Sequence, residues 1–100
     1  HFVLIYLNNQ NKVITTEVVA SGTINSSAVY PRQIAIKALE KEATNVILAH
    51  NHPSGETMPS NSDRAVTKKL QTGLSALDID ILDHIIIGEG HYSFADAGLL

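Results

Sequence analysis

Within Ala49 to Asp63, reading AHNHPSGETMPSNSD, two histidines stand two apart and a serine and an aspartate follow after a short turn-forming run. Residues i and i+2 of an extended chain point to one face, so His50 and His52 project their imidazoles side by side while Asn51 points away. Zn²⁺ takes imidazole nitrogens at ~2.0–2.1 Å and carboxylate oxygens at a similar distance, and catalytic zinc sites pair three protein ligands with one open position. Asp63 is the best third ligand, because Pro53-Ser54-Gly55 can turn the chain off a strand and Pro59 can return it into a helix. The carboxylate then sits in that helix's first turn, where unpaired backbone N–H groups favour negative charge. Ser60, just ahead, could donate a hydrogen bond to a developing oxyanion.

Each residue also has a plainer explanation. Ser60-x-x-Asp63 is a helix-capping arrangement as well, and the spacing recurs at Ser75-x-x-Asp78 and Ser93-x-x-Asp96. A His-x-His pair alone is more often two hydrogen-bonded histidines than a metal site. The conjunction is what raises the odds: one His-x-His is joined by a short loop rich in Pro and Gly to one particular Ser-x-x-Asp. Of the other histidines, His84 reads as a core or supporting residue, and His1 and His91 as exposed ones. Glu17 either approaches the metal or faces solvent on a hairpin edge.

The elements that must position these side chains follow from pattern. Phe2 to Leu7 is β-branched and aromatic, and the turn formers Asn8 to Asn11 join it to a second strand over Lys12 to Ala20. Pro31 suits the first turn of a helix running to about Ala43, with Ile34, Ala35, Ala38, Leu39 and Ala43 on its apolar face. Asn45 to His50 reads as a short central strand because Val46 to Ala49 is continuously apolar. A second helix starts near Ser60, with Val66, Leu70, Leu74 and Leu77 at core spacing and Gly73 as a weak point. Strands over Ile79 to Gly88 and His91 to Phe94 complete the order β-β-α-β-α-β-β, an α/β (α+β-like) arrangement of a mixed sheet packed with two helices.

Composition narrows the function. A chain of 100 residues is expected to form one domain, residues 1–100. It lacks cysteine, so a metal must be held by imidazole and carboxylate. The net charge of −3, with Lys68-Lys69 the longest basic run, supplies little cation for phosphate and gives DNA only weak support as a partner. No apolar run approaches the ~20 residues that span a bilayer, and no signal peptide opens the chain, so no membrane association and a cytoplasmic location are expected.

His50-x-His52, seven intervening residues and Ser60-x-x-Asp63 resemble the JAMM signature of MPN-type (JAB) metalloproteases. His52-Pro53-Ser54-Gly55 with Pro59-Ser60 resembles the bacterial RadC branch of that group. Gly22-Thr23-Ile24-Asn25, Tyr30-Pro31-Arg32, Val46 to Gly55, and Leu82-Asp83-His84 through Gly88 also look like RadC segments. The resemblance implies a JAMM/MPN fold, similar to cytidine deaminases, and a Zn²⁺ held by His50, His52 and Asp63. It further implies an N-terminal helix-hairpin-helix portion, which this chain lacks, and a glutamate at the edge of the first hairpin. Here the first strand begins at Phe2, so that glutamate's position is His1 or lies upstream of it; Glu17, the only acid in either hairpin strand, is the best general-base candidate within the chain.

Two functions are therefore expected. The first is a zinc-dependent hydrolase of the RadC type that cleaves an amide in a peptide or protein by metal-activated water, with Ser60 assisting and a glutamate relaying the proton. The alternative is a non-catalytic or DNA-repair-associated interaction module in which the metal is structural.

Overall fold

Five strands among the described residues, β1 to β5, span Phe2–Leu7, Val13–Ala20, Asn45–Asn51, Asp80–Gly88 and Gly90–Ser93, and burial alternates along β1 and β3. These bounds belong to a computed structural model that describes residues 1–22 and 25–100. Thr23 and Ile24, in the Gly22-to-Asn25 segment quoted above, lie outside the described residues. Two helices, α1 over Pro31–Glu40 and α2 over Asn61–Ser75, complete the α+β arrangement expected of a JAB/MPN fold. Pro31 opens α1, where its missing N–H costs nothing.

The sheet order is β2-β1-β3-β4-β5. β1 runs antiparallel to both β2 and β3, β3 and β4 are parallel, and β5 returns antiparallel on β4. A parallel pair cannot be joined by a tight turn, so α2 serves as the crossover between β3 and β4. The Asn8-to-Asn11 turn closes the first hairpin as its composition suggests, with Asn11 at φ +59° and its N–H donating to the Asn8 carbonyl.

One face of the sheet carries the core. Phe2, Leu4 and Tyr6 of β1 and Val46 and Leu48 of β3 pack with Ile34, Ala35 and Ala38 of α1 and Val66, Leu70 and Leu74 of α2. Burying each of the larger of these side chains is worth about 1.5–3 kcal/mol.

Three expectations need correction. α1 stops at Glu40, not near Ala43: Glu42 takes a left-handed φ of +56° and the Ala43 N–H reaches back to the Ala38 carbonyl. Leu39 is 55% exposed, because Ala35, one turn earlier, already sits at the border of the buried stripe. Leu77 is 45% exposed, because α2 ends at Ser75 and Asp78 at φ +58° turns the chain off the helical period. Gly73 also has a use beyond weakening its helix, since a Cβ there would lie 2.8 Å from Cβ of Pro31; its lack of a side chain lets α1 and α2 approach. Among the described residues, no helix is long and apolar enough to cross a membrane.

Candidate metal centre

In open α/β sheets, ligands gather beyond the carboxyl ends of parallel strands, and that is where this chain turns its polar side chains inward. β3 ends at Asn51, yet the His52 N–H still donates to the Ile87 carbonyl of β4 at 2.8 Å. The pairing thus reaches one residue beyond the strand and keeps His52 on the side of His50. Their rings stand 4.9 Å apart, nearly perpendicular. His50 is buried and His52 half-buried.

The loop that follows is held from outside. The Gly55 N–H closes a turn onto the His52 carbonyl at 3.0 Å, and Gly55 adopts φ +85°, a conformation that favours glycine. The Gly55 carbonyl then accepts the Glu89 N–H at 2.9 Å. A Cβ on Gly88 would sit 2.8 Å from the Gly55 carbonyl carbon, so the loop can dock on the β4–β5 turn only while residue 88 is glycine.

Ser60 caps α2. Its hydroxyl accepts the Asp63 N–H at 3.1 Å, and its own N–H donates to Asp63 Oδ2 at 2.8 Å, a complete capping box. The plainer explanation of this pair is therefore true, and it coexists with convergence. Asp63, 1% exposed, lies 3.1 Å from His50 Nδ1 through Oδ1 and 2.9 Å from His52 Nε2 through Oδ2. One donor atom from each of His50, His52 and Asp63 falls within 4.8 Å of the others, so the three could hold a metal ion. Because a hydroxyl that accepts keeps its own hydrogen, Ser60 can still donate.

Protonation suits ligation. Burial lowers the His50 pKa below its ordinary value, outweighing the opposing Asp63 charge, so the ring is neutral near pH 7. Burial alone would raise the Asp63 carboxyl, but the Ser60 N–H and hydroxyl together with the two imidazoles outweigh it and hold the carboxyl below its usual range. His52 Nδ1 is 2.9 Å from the Glu56 carbonyl, which can only accept, so Nδ1 carries the proton. A neutral His52 then turns the lone pair of Nε2 toward Asp63 Oδ2, 2.9 Å away. Either a second proton on the ring or a cation bridges two such atoms, so the pair can take a metal ion in place of a proton.

Glu17 is not brought to this group. β1 pairs Leu4 with Glu17 and Phe2 with His50, which sets Glu17 two strands and one pleat away, on the order of 10 Å at ~4.8 Å between strands. Its carboxylate is tied instead to Lys37 Nζ at 2.9 Å and to the Tyr6 hydroxyl at 3.3 Å. His1 and His91 are exposed, whereas His84 is buried beneath the site. Sequence reasoning passed over Thr67, Gly88 and the Glu56 carbonyl. Only Thr67 left a signal, its position four residues after Asp63 on one helix stripe.

A family model described as RadC-like JAB domain matches residues 1–99. An UPF0758 protein of Pseudoalteromonas translucida is 50% identical over 99% of this chain, which covers 45% of that protein. The UPF0758 protein YeeS of Escherichia coli is 48% identical over 99% of the chain and is covered to 68%. A third, from Rubrobacter xylanophilus, is 43% identical over the full chain and covered to 44%. The chain thus spans less than half the length of two of these three relatives.

Proposed function

Because the chain belongs to the RadC-like JAB domain family, we propose that it is a zinc-dependent amide hydrolase acting on peptides or proteins in the cytoplasm. The observation that carries this reading is the committed state of the donors: His50 neutral, Asp63 ionised, and the Nδ1–H of His52 held by the Glu56 carbonyl so that Nε2 faces the carboxylate. When bound by His50, His52 and Asp63, Zn²⁺ supplies Lewis acidity toward a carbonyl oxygen and lowers the pKa of coordinated water toward neutrality.

The chain's own residues have three tasks around that ion. The capping box holds Asp63 rigid, the Gly55–Gly88 contact holds His52, and Ser60 offers a hydroxyl hydrogen to an oxygen that gains charge. A proton acceptor must also come within reach. Antiparallel pairing sets Phe2 against His50, and the His1 carbonyl accepts the Asn51 N–H. The residue preceding His1 in a longer protein therefore falls opposite His52, on the face of the donors, and an acid there fits the role better than Glu17.

A module in which the metal is only structural draws on one observation: Asp63 is the sole carboxylate in the donor group found among the described residues. Metal analysis of protein purified without chelator or added zinc addresses the shared premise. About one equivalent of zinc in the wild type and little in His50→Ala is expected; equal content in both sinks the site. Peptide hydrolysis by a longer protein that includes the residues before His1 then separates enzyme from module.

A further inference from the structure

Beneath the donors lies a second polar chain that the proposed hydrolysis does not use. In the β3–β4 pairing, Leu48 faces His84 and His50 faces Ile86, so His84 sits one pleat below the site. Its ring, 1% exposed, stacks on Phe94 at 4.5 Å and 19° and lies 5.9 Å from the Phe2 ring. Asp83 fixes that stack by accepting the Ala95 N–H at 3.0 Å and the Ser93 hydroxyl at 2.6 Å, on either side of Phe94.

His84 Nδ1 is 2.6 Å from Thr67 Oγ1, and Thr67 Oγ1 is 2.8 Å from the Asp63 carbonyl. A hydroxyl has one hydrogen and a carbonyl only accepts, so Thr67 donates to Asp63 and accepts from the Nδ1–H of His84. His84 Nε2 has no partner, alone in this respect among the buried side-chain nitrogens and oxygens of the described residues. The reverse polarity would leave a buried N–H at that atom without an acceptor and would take the hydroxyl hydrogen away from Asp63.

We propose that His84 is a positioning residue: held as the Nδ1–H tautomer, it fixes Thr67, and Thr67 fixes the first turn of α2 where it presents Asp63 to His50 and His52. This deepens the metal reading and rests on it only for its effect on affinity. The Ser60 box anchors the Asp63 side chain and N–H, while Thr67 anchors the carbonyl, so the brace acts on the one backbone group of Asp63 that the cap does not hold.

Long-range ¹H–¹⁵N spectra of metal-free protein report which ring nitrogen of His84 carries the proton, and zinc competition against a chromophoric chelator reports affinity. Expected are a proton on Nδ1, a loss of about ten- to a hundredfold in zinc affinity for Thr67→Val, and recovery to within about threefold for Thr67→Ser, which keeps the hydroxyl. His84→Asn, whose amide can stand near Nδ1, should bind zinc more tightly than His84→Gln. A proton on Nε2 overturns the proposal, as does equal affinity in Thr67→Val and Thr67→Ser. Were the wild type to bind no zinc, the metal reading would fall. The tautomer and the displacement of the His50 ring resonances in Thr67→Val, both read on metal-free protein, would still decide the brace.

Discussion

At Ser60 the hydroxyl accepts the Asp63 N–H and the carboxylate accepts the Ser60 N–H, whereas at Ser93, with the same spacing, only half of that box forms. Ser93 Oγ accepts the Asp96 N–H at 3.1 Å but spends its hydrogen on Asp83, and Asp96 is exposed. What stands opposite separates the two. Asp63 is buried against two imidazoles at the carboxyl end of the parallel strands, and the Ser93 turn is wrapped around another acid. The spacing specifies a local turn or cap; only the tertiary setting brings one of these aspartates into a group that could hold a metal ion. At the third instance, Ser75 closes α2 and the Asp78 N–H meets its carbonyl, with no side-chain box.

The largest effect should come from exchanging the two aspartates one at a time. Asp63→Asn keeps size and capping capacity but removes the charge, and zinc affinity should fall by at least about a hundredfold, beyond the loss typical of a ligand's supporting partner. Asp96→Asn should stay within about twofold of wild type. Chelator competition measures both, and similar behaviour of the two variants would mean that tertiary setting is not the difference.

Burial beneath Asp63 predicts a pH dependence with a definite sign. Desolvation, only partly opposed by Asp63 and Asp83, lowers His84 from 6.5 to about 4. The unfolded chain therefore takes up a proton first as the solution is acidified. The stability that comes from keeping His84 neutral is complete above pH 6.5 and is lost between there and about 4, at a cost of roughly 3 kcal/mol. His50, also lowered, adds loss below 6.5, and Asp63 adds more below its usual 3.8. Urea unfolding of the metal-free domain across that range should show falling stability, less steep in His84→Asn; a flat profile would contradict the buried neutral ring.

The docked loop should give a smaller effect. Gly88→Ala drives a methyl group into the Gly55 backbone, so either the loop carrying His52 lifts or the β4–β5 turn shifts. A destabilisation of about 1–3 kcal/mol is expected, with weaker zinc binding. Gly88 is not among the glycines of positive φ, so the contact with the Gly55 backbone, and not a left-handed conformation, sets this effect. Unchanged zinc affinity in Gly88→Ala would show that the β4–β5 turn does not hold the site.

Most of this molecule was legible where local pattern and tertiary role coincide. Phe2 to Leu7 and Val46 to Ala49 are strands by composition and by burial alike, and Pro31 starts a helix for a reason internal to one turn. His50, His52 and Asp63 could be named because period two, a Pro/Gly loop and a capping spacing each constrain one of them. Leu39 and Leu77 misled because helical periodicity says nothing about where the helix ends or how wide the buried stripe is. Gly73 read as a weakness because Pro31, the residue it makes room for, is distant in sequence. Gly88 and the Glu56 carbonyl were silent for related reasons: the Gly55 backbone that Gly88 admits is distant in sequence, and a carbonyl is common to every residue type.

The smallest expected effect concerns the hairpin edge, the region most unlike the strand end where the donors meet. Glu17 and Lys37 form an ion pair at 2.9 Å with side chains 34% and 33% exposed, so solvent screens much of the attraction. Burial first, and then the Glu17 charge, raise the pKa of the neighbouring Tyr6 hydroxyl, which stays protonated and donates to the carboxylate. Glu17→Gln keeps an oxygen for Tyr6 and removes only the charge facing Lys37. The cost should be under about 1 kcal/mol, with zinc affinity and any peptide hydrolysis within about twofold of wild type. Glu17→Ala also leaves the buried Tyr6 hydroxyl without its acceptor and should cost about 1–3 kcal/mol, still without touching zinc. Thermal unfolding, zinc titration and peptide hydrolysis on the two variants measure this directly. If Glu17→Gln instead abolished hydrolysis at full zinc content, the ion pair would have to open in the working protein. Glu17 would then be the proton acceptor, and the place before His1 would lose that role.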